Sequence, residues 1–165
     1  EGLEIVAAWD YNWGDMGTTS FQGSWAWMDQ EIDFVPAGLL TRANINSLTD
    51  AIPENRGNFR VNHRLDDWRF TLSANYYDEY NIIPSNSTPS RDYTGSDEII
   101  WNGEISYTYN DTYEFILGSD NIANTYPEKV RPIDTSSGTS NVYRNDAAFS
   151  GNGAFWYFRL VANFD

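Results

Sequence analysis

Apolar and polar residues alternate with period two through most of the chain. Residues 3–13 place Leu3, Ile5, Ala7, Trp9, Tyr11 and Trp13 on one side, and Glu4, Asp10 and Asn12 on the other. The same alternation returns as Thr19, Phe21, Gly23, Trp25 and Trp27. It returns again as Phe59, Val61, His63 and Leu65 against Arg60, Asn62 and Arg64, and as Trp68, Phe70, Leu72, Ala74 and Tyr76 against Arg69, Thr71, Ser73 and Asn75. Further on come Trp101, Gly103, Ile105, Tyr107 and Tyr109, then Tyr113, Phe115 and Leu117. The last run is Trp156, Phe158, Leu160, Ala162 and Phe164 against Phe155, Tyr157, Arg159, Val161 and Asn163. Successive side chains of a strand point to opposite faces, so each run predicts a β-strand with one apolar face. Seven antiparallel strands follow. Short connections are expected at 14–18, 65–68 and 109–113, and long ones near 29–57, 81–97 and 122–152, in strict alternation. Within the first long stretch, Leu40, Ala43, Ser47, Leu48 and Ile52 fall at roughly helical spacing behind Thr41, an N-cap residue type. A short helix and an irregular loop with a few buried leucines both fit that stretch.

The apolar faces meet either a protein core or lipid, and the placement of the rings bears on which. Trp13, Trp68, Tyr109, Tyr113 and Phe164 lie near the short connections, and Trp25, Trp27, Tyr76, Trp101 and Trp156 nearer the long ones. Ala7, Gly23, Ala74, Gly103 and Ile105 fall between. Two aromatic belts around a band of smaller side chains is the pattern of a transmembrane β-barrel wall, which also has short turns on one side and long loops on the other. No apolar run approaches the ~20 residues of a spanning helix, but a spanning strand needs only ~9–11 residues with every second one apolar.

The formal net charge of −14 argues against nucleic acid and against an anionic membrane surface, both of which require a basic footprint. The absence of cysteine removes disulfides and thiolate metal sites. His63 is the only histidine, so no histidine-based metal cluster exists, and a Ser-His-Asp site would have to use His63, which falls on the apolar face near a short turn. The acid pairs Asp66-Asp67 and Asp97-Glu98 lie in turns, where solvated carboxylates are the ordinary case. No catalytic, metal or cofactor site is expected.

Four stretches together resemble the C-terminal part of a TonB-dependent outer-membrane receptor. "GNGAFWYFRLVANF" is similar to that family's last strand, and "LGSDNIANTYPEK" to the segment where the penultimate strand enters the last loop. "PENRGNFRVNHRLDDWRFTLSANYYDEY" resembles a family hairpin, and "GLEIVAAWDYNWGDMGTTSFQGSWAW" the hairpin before it. Two departures stand out: Asp165 follows the aromatic residue that ends such chains, and Ala123 replaces a bulkier hydrophobe. The resemblance implies an all-β fold, with residues 1–165 forming about seven strands of an antiparallel transmembrane barrel of roughly 22 strands. The plug domain and the TonB-contacting segment would lie outside this sequence. It implies an integral outer-membrane location, with loops extracellular and the C-terminus periplasmic. The function implied is energy-driven import of a scarce nutrient such as a siderophore, cobalamin, metal chelate or oligosaccharide. The partners implied are the remaining strands, the plug, the TonB complex, outer-membrane lipid and the barrel-assembly machinery.

On this reading Arg60, Arg64, Arg69, Glu104 and Arg159 face the lumen, as plug contacts or as solvated wall charges. Arg91, Tyr93, Arg131, Tyr143 and Arg144 sit on extracellular loops as candidate ligand contacts. Trp156, Phe158, Leu160 and Phe164 face lipid on the strand that the assembly machinery reads. The reading from a different class is a secreted acidic β-sandwich that binds carbohydrate through exposed aromatics.

Overall fold

The computed structural model describes residues 1–34, 36, 38–134 and 142–164. Seven long strands form one antiparallel sheet in chain order: β1 (Gly2–Asn12), β2 (Thr18–Met28), β3 (Asn55–Leu65), β4 (Trp68–Tyr77), β7 (Glu98–Tyr109), β8 (Tyr113–Asp120) and β9 (Phe155–Ala162). Two three-residue strands, β5 (Tyr80–Ile82) and β6 (Tyr93–Gly95), make a separate hairpin in the connection between β4 and β7. That connection is therefore not all loop, as the sequence suggested, because three residues are too few to display a period. The main strands are 8 to 12 residues long, against a common strand length of ~5–6.

The short connections use residues that tolerate a left-handed backbone. Gly14 and Gly17 have positive φ in the first, Asp66 in the second, and Asn110 and Asp111 in the third. Asn and Asp enter that region more easily than other residues with a Cβ. The acidic character of these turns is thus conformational as well as electrostatic. The long connection after β2 carries α1 (Arg42–Leu48). Thr41 caps it reciprocally: the Asn44 amide N–H donates to Thr41 Oγ1 and the Thr41 N–H to Asn44 Oδ1, both at 3.3 Å. Asn46 is buried and ties α1 to the small hairpin, donating to the Asn81 carbonyl at 2.9 Å and accepting from the Ile83 N–H at 2.8 Å.

Pairing keeps the two faces distinct across the whole sheet. Trp9 leads through its partners Phe21, Val61, Leu72, Gly103 and Ser119 to Trp156. Asn12 leads through Thr18, Arg64, Arg69, Ser106 and Ile116 to Arg159. A one-residue slip anywhere would mix these rows. The rows also run obliquely. Trp9 is the eighth residue of β1, three before its end, whereas Trp156 is the second of β9, six before its end. Over six strand-to-strand steps this offset amounts to half a residue to one residue per step. At ~3.3 Å per residue and ~4.8 Å between strands, the strands tilt by roughly 20–35°.

No hydrophobic core lies under the sheet. Among the described residues the buried apolar side chains are Tyr80, Ile116, Pro53 and Pro127, whereas a soluble domain of ~150 residues buries about 68–70% of its surface. The apolar face is left open: Trp9 is 63% exposed, Trp25 44% and Phe158 66%. Among the described residues no second sheet packs over it, so the face-to-face layering of a β-sandwich is absent there. Every residue of β1 is exposed, and β1 and β9 each have a single partner strand.

Candidate functional site

Three regions contain the residues of interest: the apolar face, the polar face and the long connections. On the apolar face the rings gather where the alternation places them. Near the short turns, Trp68 lies 4.8 Å from Tyr107, Tyr11 4.3 Å from Trp13, and Phe164 meets Tyr113 edge-on at 6.2 Å. Near the long connections, Trp25 stacks on Tyr76 at 5.3 Å across Gly57. Between the two belts, Ala7, Gly23 and Ala74 help leave a hollow of about 690 Å³. Trp156, Phe158 and Leu160 all point outward from β9, and Phe164 lies just past its end. His63 belongs to a polar chain set into this face, in which Trp13 Nε1 donates to Thr19 Oγ1 and Thr19 Oγ1 bonds His63 Nδ1, both at 2.8 Å. A partnered histidine at a belt has no nucleophile to activate beyond Thr19.

The polar face is organised around Glu104. Its carboxylate accepts from Tyr157 Oη at 3.0 Å and Arg159 Nη2 at 3.1 Å, and Arg69 Nη2 stands 3.8 Å away. The same Arg69 nitrogen donates to Glu114 at 2.6 Å. Strands β4, β7, β8 and β9 each contribute one charged member to this chain. Gly118 allows it, because the Tyr157 ring lies where a Cβ on residue 118 would stand. Arg60 and Arg64 on β3 flank the same concave patch, a hollow of about 500 Å³. They are exposed and form no ion pair among the described residues. Of the five charges expected on one face, three are thus linked and two are left facing the hollow.

Four of the five candidate loop residues come together, but their polar ends largely serve one another. The Arg144 guanidinium lies 3.5 Å over the Tyr93 ring and bonds Asp146 through Nε at 3.0 Å and Nη2 at 2.8 Å. Tyr93 Oη donates to the same Asp146 at 2.9 Å. Arg131 donates to the carbonyls of Arg91 at 2.6 Å and Asp92 at 3.2 Å. Burial works against a charged Asp146, but the Arg144 and Tyr93 hydrogen bonds outweigh it and hold its carboxyl below the ordinary range. Burial also pushes the Tyr80 phenol up to about 12. Tyr143 stands apart, stacked on Tyr126 at 4.4 Å.

The three long connections are fastened together. Arg42 pairs with Asp92, and Arg42 Nη1 lies 2.9 Å from Asp92 Oδ1, joining the first connection to the second. Glu128 accepts from the Ser96 N–H at 2.7 Å, joining the second to the third. The third is closed at its root. Asn121 donates to the carbonyls of Thr125 at 2.7 Å and Asn152 at 3.3 Å, and Asn124 accepts from the Ala154 N–H at 2.9 Å. Those two asparagines, both at positive φ, are the ones in "SDNIAN". Sequence reading missed Asp146, Asp92, Tyr80 and Phe149. A lone acid or ring in a loop has no periodic neighbour to reveal it.

Among the described residues no group of three or more His, Cys, Asp or Glu is placed to hold a metal ion, and no helix is long and apolar enough to cross a membrane. No protein-family model, no curated protein and no solved structure matches the chain.

Proposed function

We propose that this chain is part of the wall of a transmembrane β-barrel, and that the barrel is a TonB-dependent-type receptor that binds and imports a scarce nutrient across the bacterial outer membrane. The observation that carries the membrane reading is the open apolar face. Seven paired strands expose one broad apolar surface, which water would penalise at ~25 cal/mol per Å² and lipid would not. The two aromatic belts, the oblique rows and the short-and-long alternation of connections support it. The tilt read from the rows reaches, at its upper end, the ~35–45° of closed barrels. The opposite face, wet and ion-paired, suits a lumen. The free edges of β1 and β9 require strands from outside this sequence, because an unpaired backbone group in lipid costs several kcal/mol.

The receptor part of the proposal rests on the resemblance of the four quoted stretches. It assigns the protein a transport role rather than catalysis, with the plug, the TonB complex, the assembly machinery and outer-membrane lipid as partners. The test is fractionation of the full-length polypeptide carrying this sequence. Recovery in outer-membrane fractions, as a species that changes gel mobility on heating, is expected. A folded product that stays in detergent-free buffer would overturn the membrane reading and favour the secreted carbohydrate-binding module. Loss of uptake on removing the TonB-contacting segment, with binding retained, is the expected result for the transport half.

A further inference from the structure

At the end of the polar face nearest the long connections lies a second hollow of about 480 Å³, within the ~300–1,000 Å³ of small-molecule sites. Tyr77, Phe149 and Phe155 give it ring faces, and Asn102, Asp120 and Asn152 give it polar edges. We propose that this hollow binds a neutral oligosaccharide, which names the cargo class of the receptor proposed above and rests on that reading.

Three observations converge on that ligand. First, large aromatic rings stand on a face that otherwise alternates polar side chains. Phe149 from the last long connection packs against Tyr77 at 5.7 Å. Phe155 is 62% exposed and lies 6.2 Å from Tyr157, nearly parallel at 27°. A pyranose ring presents a flat C–H face that stacks on such rings, and a rim of hydroxyls that needs acceptors and donors in its own plane. Second, two of the three polar groups are unspent, whereas Asn102 accepts from the Asn121 N–H at 2.9 Å. Among the described residues the Asp120 carboxylate and the Asn152 side-chain amide make no hydrogen bond or ion pair, and both are exposed. A carboxylate accepts from two vicinal hydroxyls, and an amide both donates and accepts. Third, among the described residues no Lys or Arg lines the hollow, so a phosphate, uronate or catecholate ligand would meet Asp120 without the cations such groups require.

The hollow is also placed to pass a ligand on. Asn102 and Asp120 line both it and the larger polar hollow beside Glu104. The segment that carries Phe149 is closed at its root by Asn121 and Asn124, so the ring pair is held rather than waving in solvent.

The test is isothermal titration of the full-length receptor in detergent with hexaoses of glucose, xylose, mannose and N-acetylglucosamine, and with hexagalacturonate as the anionic control. At least one neutral hexaose should bind saturably below about 10 mM, a weak range of affinity, and hexagalacturonate should not. Phe149→Ala and Phe155→Ala should each weaken binding about three- to tenfold, as loss of a ring contact does. Asp120→Asn removes a charge that supports no internal contact and should weaken binding without changing heat-modifiable mobility. Binding by no neutral hexaose, unchanged affinity in all three variants, or equal affinity for hexagalacturonate would each overturn the proposal. A wild-type protein that is a heat-modifiable barrel yet binds none of these sugars refutes this inference alone. One that binds them but folds in buffer without detergent refutes the barrel reading instead.

Discussion

On β9, Trp156, Phe158 and Leu160 point one way and Tyr157, Arg159 and Val161 the other. The two faces differ in where their partners are. The polar side finds its partners within the chain: Glu104 gathers Tyr157, Arg159 and Arg69, and Arg69 reaches on to Glu114. The apolar side finds few, and its rings touch one another in short runs and otherwise stand exposed. A polar group can be satisfied by one well-aimed neighbour, whereas an apolar face is satisfied only by coverage. The sheet is largely self-satisfied on one side and uncovered on the other, and that asymmetry defines the surroundings it needs.

The same charge placed on each side should separate the two faces most. Arg at Leu160 would face outward and cost about 2–4 kcal/mol near a bilayer midplane. Arg at Val161, one residue along, would face the polar side opposite Glu114, its partner across β8. In the full-length protein, Leu160→Arg should remove most heat-modifiable species from outer-membrane fractions, and Val161→Arg should leave it near the wild-type amount. Equal loss from both would show that the two faces are not lipid and lumen.

Glycines give a subtler contrast. On the polar side, a methyl at Gly118 would drive Tyr157 off Glu104, because the ring occupies that space. On the apolar side, a methyl at Gly57 would meet the Trp25 ring edge at 2.9 Å, a milder overlap than at Gly118, and that ring is half-exposed although stacked on Tyr76. Gly118→Ala should therefore destabilise by about 1–3 kcal/mol, the usual cost of overpacking, and Gly57→Ala by clearly less. Thermal midpoints in detergent measure both. The double variant Gly118→Ala with Tyr157→Ala should show less than the sum of the single losses. Full additivity would mean that the close approach is not what Gly118 provides.

Removing the hub of the polar side should matter less still. Glu104→Gln keeps its shape and loses its charge, leaving Arg159 in solvent and Arg69 still bonded to Glu114. Partly exposed pairs contribute ~0.2–1 kcal/mol each. A loss of that order is expected, shrinking as salt is raised. A loss that salt leaves unchanged would assign Glu104 a packing role instead.

The seven main strands and their faces were legible because period two repeats over eight residues or more. The short turns were legible because Gly, Asn and Asp mark them. Thr41 was legible as a cap, although the reciprocal bond comes from Asn44 rather than the usual Glu or Gln. What remained hidden depends on contacts between residues far apart in sequence. Nothing local says that Asp146 meets Tyr93, 53 residues away, or that Arg42 meets Asp92, 50 residues away. The β5–β6 hairpin escaped for the opposite reason, since it is too short to have a pattern. Of the candidate loop residues, the sequence indicated the types and the region. Their mutual engagement, which turns most of them inward to each other, is a property of the assembled loops.

The smallest expected effect concerns those loops, and it has a definite sign. Asp146 is held below its ordinary pKa even though burial opposes the charge, because the Arg144 and Tyr93 hydrogen bonds outweigh it. Asp92 is lowered by Arg42, and Asp78 by the Asn55 side chain, which donates to it at 2.6 Å. A carboxylate whose folded pKa is depressed contributes stability that is present above its unfolded value, ~3.9 for Asp, and that fades as pH falls through the folded value. All three act in the same direction and all three fasten long connections or their roots, whereas the strand ladders carry no such dependence in their backbone bonds. Acidification from neutrality to below about pH 4 should therefore lower the protection of amides in residues 78–97 and 142–154, measured relative to the intrinsic exchange rate at each pH, while leaving the protection of β3 and β4 unchanged. Asp146→Asn should make protection in 142–154 low already at neutral pH and remove most of the pH dependence of that protection. A uniform loss of protection across strands and loops would mean that the sheet opens first, and that the carboxylates of the long connections are not what holds them.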